Sequence, residues 1–242
     1  LDKQAGRRIA VSCNNGARDW GPVRLPFDFC IGELAYKEAT PTHLHECMRQ
    51  ARAHDRLQTI TMPLKTVASP AEQESADWIL LTRKSITTAY ALGGLIEMPW
   101  DTFLPDAQQY FGKPERYADL TAFVRGIAPH LDGHAEAFAT GCAVEDARWK
   151  GMTPPLALGD AAPHVLAVER TLPDSPAAAA VIHLVDWRDE PQPFSITVQM
   201  DLFFGTEPAT LRLLQPVAAY DRAAHDKAFD SRDYAPLVRS TP

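Results

Sequence analysis

The sequence predicts an α/β segment followed by an all-β domain, and three observations support this prediction. Four short apolar segments alternate with helical patterns over residues 1–150. Residues 151–163 are rich in proline and glycine and have no period, which is typical of a linker. Residues 164–242 contain several short apolar segments separated by turn-like clusters, which predicts a small antiparallel β-sandwich domain.

The four apolar segments of the first part are predicted to be parallel strands. They read RRIAVSCNN, FDFCIGEL, LQTITMPLK and GGLIEMPWD. Each is a short run of mostly apolar or β-branched residues that ends in polar, glycine or proline residues. Runs of this kind are typical of strands that are buried on both faces, as they are in a parallel sheet.

The segments that follow the second, third and fourth strands have helical spacing. Residues 40–56, 69–94 and 112–133 each place apolar side chains on one helical stripe. Pro114 suits the first turn of the last helix, and Gly133 can cap its end. Strand and helix therefore alternate, which predicts a parallel sheet with right-handed crossovers. Four such units can form an open sheet or one half of a closed barrel.

Composition and charge exclude several classes of function. The chain has 242 residues, of which 45% are hydrophobic and 23% charged, and its formal net charge is −7. It has no long run of one charge and no apolar stretch of about 20 residues, so we expect no nucleic-acid partner and no membrane span. Four widely spaced cysteines fit neither a zinc template nor a dense disulfide framework. We therefore predict that the cysteines are reduced, which favours a cytoplasmic location. A signal peptide upstream of this sequence would instead predict a secreted or periplasmic location.

Three stretches of the sequence support a resemblance to a known family. They are FDFCIGELA, then ALGGLIEMPWDTFLPDAQQYFGKPERYADLTAFVRGIAPHLDGH, and finally HLVDW. They resemble the last part of the barrel, and the domain after it, in bacterial glycoside-hydrolase-like proteins. These proteins are distantly like exo-β-agarases and β-galactosidases.

The resemblance implies a more specific fold for each part of the chain. Residues 1–150 would be the C-terminal half of a (β/α)8 TIM barrel, and residues 164–242 the appended antiparallel β-sandwich. Half a barrel leaves open strand edges, so we expect it to pair with a missing N-terminal barrel half or to form a homo-oligomer.

The resemblance also implies glycosidase activity on a poly- or oligosaccharide, without a cofactor. Such hydrolysis normally uses two carboxyl groups, and active sites of these barrels lie at the C-terminal ends of the strands. Glu33 follows the run FDFCIG, and Asp101 ends the segment IEMPWD, so we predict these two residues as catalytic. The alternatives are a surface or capping role for Glu33 and an ordinary turn role for Asp101.

Five further residues near the strand ends are predicted to contact the carbohydrate. An indole offers a platform for a sugar face, amides bind hydroxyl groups, and a lysine can hold an acidic sugar. Glu97, four residues before Asp101, lies on the same face of the strand because side chains alternate along it. The alternatives are core packing for the indole, turn chemistry for the amides and solvation for the lysine. These predicted substrate-binding residues are Trp100, Asn14, Asn15, Lys65 and Glu97.

The sequence HLHEC resembles a metal-binding pattern, but we predict no metal site there. On a helix, His43 and His45 point about 200° apart, so they cannot bind one ion together. Two other functions stay open on the same fold. One is carbohydrate binding without catalysis, and the other is a structural role in which the β-sandwich mediates contacts.

Overall fold

The protein is a mixed α/β fold with one parallel sheet and three antiparallel sheets among the residues that the structure describes. The structure is a computed structural model. It describes residues 8–16, 21–35, 38–61, 74–97, 114–205, 209–217 and 221–241. In this part of the chain, no helix is both long enough and apolar enough to cross a membrane.

The parallel sheet contains all four strands that the apolar runs predict. Their order in space is their order in sequence, and every neighbouring pair is parallel. Among the described residues, each strand is shorter than its apolar run. The strands are β1 (Ser12–Asn14), β2 (Phe29–Glu33), β3 (Leu57–Thr61) and β4 (Leu95–Ile96).

Three helices belong to the strand–helix units: α1 (Pro41–Arg52), α2 (Ala76–Ala91) and α3 (Ala118–Gly126). Side-chain caps fix where the first two begin. The hydroxyl groups of Thr40 and Ser75 each accept a hydrogen bond from the backbone N–H three residues further on. Such a cap satisfies a donor that the first turn of a helix would leave unpaired.

A four-stranded antiparallel sheet follows the helices. Its spatial order is β6-β5-β8-β9, and it begins within residues 1–150, before the predicted linker. A bulge between Glu136 and Phe138 shifts the register of its second strand. Its strands are β5 (Ala135–Gly141), β6 (Val144–Glu145), β8 (Val165–Thr171) and β9 (Ala180–Asp186).

Short elements complete the described chain. A two-stranded antiparallel sheet pairs β7 (Leu156–Ala157) with β10 (Thr197–Val198), and another pairs β11 (Leu213–Pro216) with β12 (Val238–Thr241). Two helices, α4 (Met200–Phe204) and α5 (Arg222–Ser231), lie in the part predicted to be all-β. Helix α5 is capped by Asp221, whose side chain accepts a hydrogen bond from a first-turn N–H.

Helices α1 and α2 lie between the parallel sheet and the four-stranded antiparallel sheet. A single core cluster contains Ile60 of β3, Met48 of α1, Ala89 of α2, Leu166 of β8 and Val185 of β9. The two sheets are therefore joined through the helices by one continuous apolar core. This core spans both predicted parts of the chain. The parallel sheet, the helices and the antiparallel sheet stack as three layers.

The predicted linker packs against the antiparallel sheet. Leu156, Leu158 and Ala161 are buried in a second core cluster, together with Phe138 of β5 and Val165 of β8. This cluster covers the face of the sheet that points away from the helices. The division of the chain into domains stays a prediction, but residues 151–163 are part of a packed layer.

Polar contacts add to the attachment of the antiparallel sheet to α2. Lys84 donates a hydrogen bond to the backbone oxygen of Trp187 at 2.8 Å and forms an ion pair with Asp189 at 3.0 Å. The indole N–H of Trp187 donates to the hydroxyl group of Thr88 at 3.1 Å. The HLVDW segment therefore ends on the surface of α2.

Candidate functional site

Polar side chains gather at the C-terminal edge of the parallel sheet. Asn14 pairs with Ile31, and Glu33 pairs with Thr61, in the registers of their neighbouring strands. Because side chains alternate along a strand, Asn14, Glu33 and Thr61 share one face of the sheet. Ile60 lies on the opposite face and packs into the helical core, so the shared face is the one away from the helices.

Asn14 orients Glu33 at this edge. Its Nδ2 atom donates a hydrogen bond to Oε1 of Glu33 at 3.2 Å, and its Oδ1 atom accepts one from the backbone N–H of Gly16 at 3.0 Å. Both side chains are exposed. The contact with Asn14 therefore fixes the orientation of an exposed carboxyl group at the sheet edge.

Glu97 lies on the same face, two strands away from Glu33. Its backbone N–H donates to the carbonyl of Ile60 at 2.9 Å, which continues the ladder beyond the end of β4. Ile60 pairs with Ile96, so Glu97 falls opposite Thr61. Adjacent strands lie about 4.8 Å apart, which puts the backbones of Glu33 and Glu97 about 9.5 Å apart.

Thr61 occupies the middle of this row and is not among the residues predicted from the sequence. It is only 4% exposed, and its hydroxyl group has no hydrogen-bond partner among the described residues. A buried hydroxyl group without a partner is costly, so Thr61 places an unsatisfied polar group in the middle of the row. Its position at the end of β3, level with Glu33, is the signal that could have identified it.

Asn15 does not lie with Asn14 on the face of the sheet that points away from the helices. It is buried, and its Nδ2 atom donates to Oε1 of Gln58 at 3.1 Å. The guanidinium of Arg24, which is fully buried, donates to the same oxygen at 3.2 Å. Neighbouring residues of a strand point to opposite faces, so the two predicted asparagines are separated. The contacts of Asn15 hold the helix side of the sheet together.

Three of the predicted site residues, Lys65, Trp100 and Asp101, lie outside the described residues. Their roles stay predictions, as does the pairing of Asp101 with Glu33 as the two catalytic carboxyl groups.

The two histidines of the HLHEC sequence have different partners. The Nε2 atom of His43 lies 3.5 Å from the sulfur of Cys47, whereas Nε2 of His45 lies 3.4 Å from a carboxylate oxygen of Glu136. Over the described ranges, no group of three or more histidine, cysteine, aspartate or glutamate side chains is arranged to bind a metal ion.

Glu136 is the centre of an ion-pair cluster between α1 and the antiparallel sheet. Its carboxylate lies 2.7 Å from Arg52, 3.4 Å from His45 and 3.6 Å from Arg148. Burial alone would raise the pKa of Glu136, but the hydrogen bond from His45 and the charge of Arg52 outweigh it and lower the pKa. These contacts tie α1 to the antiparallel sheet.

A cleft of about 980 Å³ lies on the antiparallel part of the molecule, apart from the sheet edge. Phe194 is one of its exposed walls, and the guanidinium of Arg188 stacks 5.5 Å from the centre of the Phe194 ring. Asp160 and Gln192 add hydrogen-bonding groups to the same cleft. An aromatic wall beside polar groups suits a sugar ring, so this cleft is a second candidate surface for carbohydrate.

Comparisons with protein-family models, with curated proteins and with solved structures gave no match for this chain. The fold and the sheet edge by themselves define a class: a mixed α/β protein whose parallel sheet presents carboxylates at its C-terminal edge. Ligands of open parallel sheets bind at this edge as a rule.

Proposed function

We propose that this chain is glycoside hydrolase-like and acts on a poly- or oligosaccharide at the C-terminal edge of its parallel sheet. In this proposal the sheet and its helices are the C-terminal half of a (β/α)8 TIM barrel, and the antiparallel strands form the appended β-sandwich. The order β1-β2-β3-β4, with helices packed on one face, supports the barrel half. The other face exposes Leu57 (37%) and Leu95 (45%), which would line the interior of a closed barrel.

The observation that supports the activity is the row formed by Glu33, Thr61 and Glu97. It places two carboxyl groups on one face, at one edge, with a hydroxyl group between them. Carboxyl groups about 5–5.5 Å apart are typical of retaining glycosidases, and about 6.5–9.5 Å of inverting ones. The backbones of Glu33 and Glu97 lie about 9.5 Å apart, and two side chains that leave the same face in parallel keep about this spacing, which is the basis for proposing an inverting arrangement. Asp101, the partner that the sequence predicts, is the alternative to Glu97.

The two glutamates differ in exposure and in hydrogen-bond partners. The single hydroxyl proton of Thr59 has two acceptors within reach, the backbone oxygen of Cys30 at 3.2 Å and Oε2 of Glu97 at 3.4 Å. Glu33 accepts the Asn14 amide proton at 3.2 Å. We assign the acid role to Glu97, which is half-buried, and the base role to Glu33, which is exposed to water.

In the proposed reaction, Glu97 gives its proton to the oxygen of the glycosidic bond as that bond breaks. Glu33 removes a proton from a water molecule that attacks the anomeric carbon from the opposite side. Asn14 keeps the Glu33 carboxylate aimed at the water. The product has the inverted anomeric configuration.

The test compares Glu33→Gln and Glu97→Gln with the matched control Glu145→Gln, which changes an exposed glutamate on β6. The wild type is assayed on a panel of oligosaccharides, and the anomer of the first product is read by NMR. We expect each site variant to lower turnover about 100-fold or more, because acid–base groups typically contribute that much. The control should keep wild-type turnover.

Unchanged turnover in Glu33→Gln would remove Glu33 from the mechanism. Full turnover in Glu97→Gln alone would move the acid role to Asp101.

A second candidate function is carbohydrate binding without hydrolysis, and the cleft beside Phe194 favours it. Calorimetric titration of the same oligosaccharides separates the two functions. Binding that Phe194→Ala abolishes, together with no hydrolysis by the wild type, would support the binding function and overturn the catalytic one.

A further inference from the structure

Two cysteines lie opposite each other in the first two strands of the parallel sheet. Cys13 of β1 pairs with Cys30 of β2 in the strand register, and their sulfur atoms are 3.7 Å apart. Both thiols are free, with Cys13 half-buried and Cys30 fully buried. They lie on the helix side of the sheet, one residue along β1 from Asn14.

We infer that Cys13 and Cys30 form a redox-active pair that closes into a disulfide when the protein meets a small disulfide oxidant. The Cα atoms of bridged cysteines are usually 4.4–6.8 Å apart, and adjacent strands at about 4.8 Å fall within that range. The Cβ atoms must approach to about 3.8 Å, which is closer than the strand spacing. The bridge is therefore strained and is easily reduced again.

The other two cysteines are placed differently. Cys47 lies on α1 with its sulfur 3.5 Å from a nitrogen of His43, and Cys142 follows β5 in a turn. Neither residue is opposite another cysteine in a strand register. They provide matched controls within the same chain.

The reaction proceeds by two thiol–disulfide exchanges. Cys13, the more accessible of the two, loses its proton, and its thiolate attacks one sulfur of the small disulfide. This step forms a mixed disulfide and releases one small thiolate. Cys30 then loses its proton and attacks the sulfur of Cys13, which forms the internal bridge and releases the second small thiolate. The two protein thiols lose two electrons and two protons, and the oxidant is reduced to two thiols.

The environment of Cys13 makes the first step slow at neutral pH. Burial and the neighbouring Cys30 raise the pKa of Cys13 to about 11, while the charge of Arg24 lowers it only in part. The thiolate is the attacking species, so the rate should rise steeply with pH until it levels near pH 11.

Closure would also affect the sheet edge. Drawing Cys13 towards β2 moves Asn14, whose amide holds Glu33 from the other face. A change in turnover on oxidation rests on the proposed function. The formation of the disulfide does not, so the two can fail separately.

The experiment uses the full chain with oxidised glutathione at about pH 9, where more thiolate forms than at neutral pH. Remaining thiols are trapped with N-ethylmaleimide, and the protein is analysed by intact mass and peptide mapping. We expect two of the four thiols to be lost and one linked peptide pair containing Cys13 and Cys30. Dithiothreitol should restore all four thiols. The control variants C47S and C142S should still form the bridge, whereas C30S should stop at glutathione attached to Cys13.

Four unmodified thiols in the folded wild type, under conditions that oxidise the urea-unfolded chain, would overturn the inference. A linkage between any other two cysteines would also overturn it. Because the mapping is done on the wild type, a misfolded C30S variant would not affect the result.

Discussion

The two four-stranded sheets of this protein use their faces differently. In the antiparallel sheet, six of the seven residues of β8 are buried, so the strand contributes to a core on both sides. In the parallel sheet, one face packs on the helices, while the other exposes Leu57 and Leu95 and ends in Glu33. We infer that the antiparallel sheet provides stability and that the parallel sheet presents chemical groups.

The carboxyl groups of the antiparallel sheet show a second contrast. Glu136 is buried with cationic partners that lower its pKa. Glu169 of β8 is only 1% exposed, its Oε2 atom has no hydrogen-bond partner in the described part of the chain, and burial raises its pKa to about 7. One glutamate therefore stabilises the fold when it is ionised, and the other destabilises it.

The largest expected effect tests the contrast between the two sheets. Leu166→Ala should lower the free energy of unfolding by about 3 kcal/mol, because it leaves a cavity in the layer beneath the helices. Leu95→Ala, on the open face of the parallel sheet, should cost less than about 1 kcal/mol. Urea denaturation of both variants measures the difference. Equal losses would mean that the open face is as important to stability as the shared core.

Removal of the paired carboxylate should have the next largest effect. Glu136→Gln should lower the free energy of unfolding by about 2 kcal/mol at neutral pH, because it leaves Arg52 without its partner. The folded pKa of Glu136 lies below its ordinary value of 4.5, so its stabilisation is present above pH 4.5 and is lost as the pH falls through the folded pKa.

Urea midpoints at neutral pH and in acid measure this prediction. The exposed Glu145, on the neighbouring strand β6, gives the control Glu145→Gln, which should change little at either pH. A loss of stability in Glu136→Gln that is the same in acid would show that the charge is not the cause.

The effect of the unpaired carboxyl group should be similar in size and opposite in sign. Ionising Glu169 costs more in the folded state, so the wild type loses stability as the pH rises from about 4.5 to about 7. Glu169→Gln removes this cost. It should stabilise the protein by on the order of 2 kcal/mol above about pH 7 and by little near pH 4.5. Thermal unfolding across this pH range checks it, and a stabilisation independent of pH would contradict it.

The strands of the parallel sheet were predictable because each apolar run is too short for a helix and ends in polar, glycine or proline residues. Glu33 and Asn14 were both predicted at strand ends. They are neighbours in the structure because the ends of parallel strands meet at one edge of the sheet. The separation of Asn15 from Asn14 follows from strand alternation, but only once the register of β1 is known. Helix α5 was missed because its polar, alanine-rich sequence has a weak apolar stripe, and its Asp221 cap resembles turn chemistry.

By itself, the sequence determined the alternation of strand and helix, the parallel sheet and the carboxylate at the end of its second strand, because these depend on local spacing. Only the tertiary structure decided that the antiparallel sheet covers the helices, that Leu156 and Leu158 of the predicted linker are buried in a core, and that Thr61 lies between Glu33 and Glu97. The physical reason is that an apolar stripe specifies that a side chain will be buried but not which distant segment will cover it.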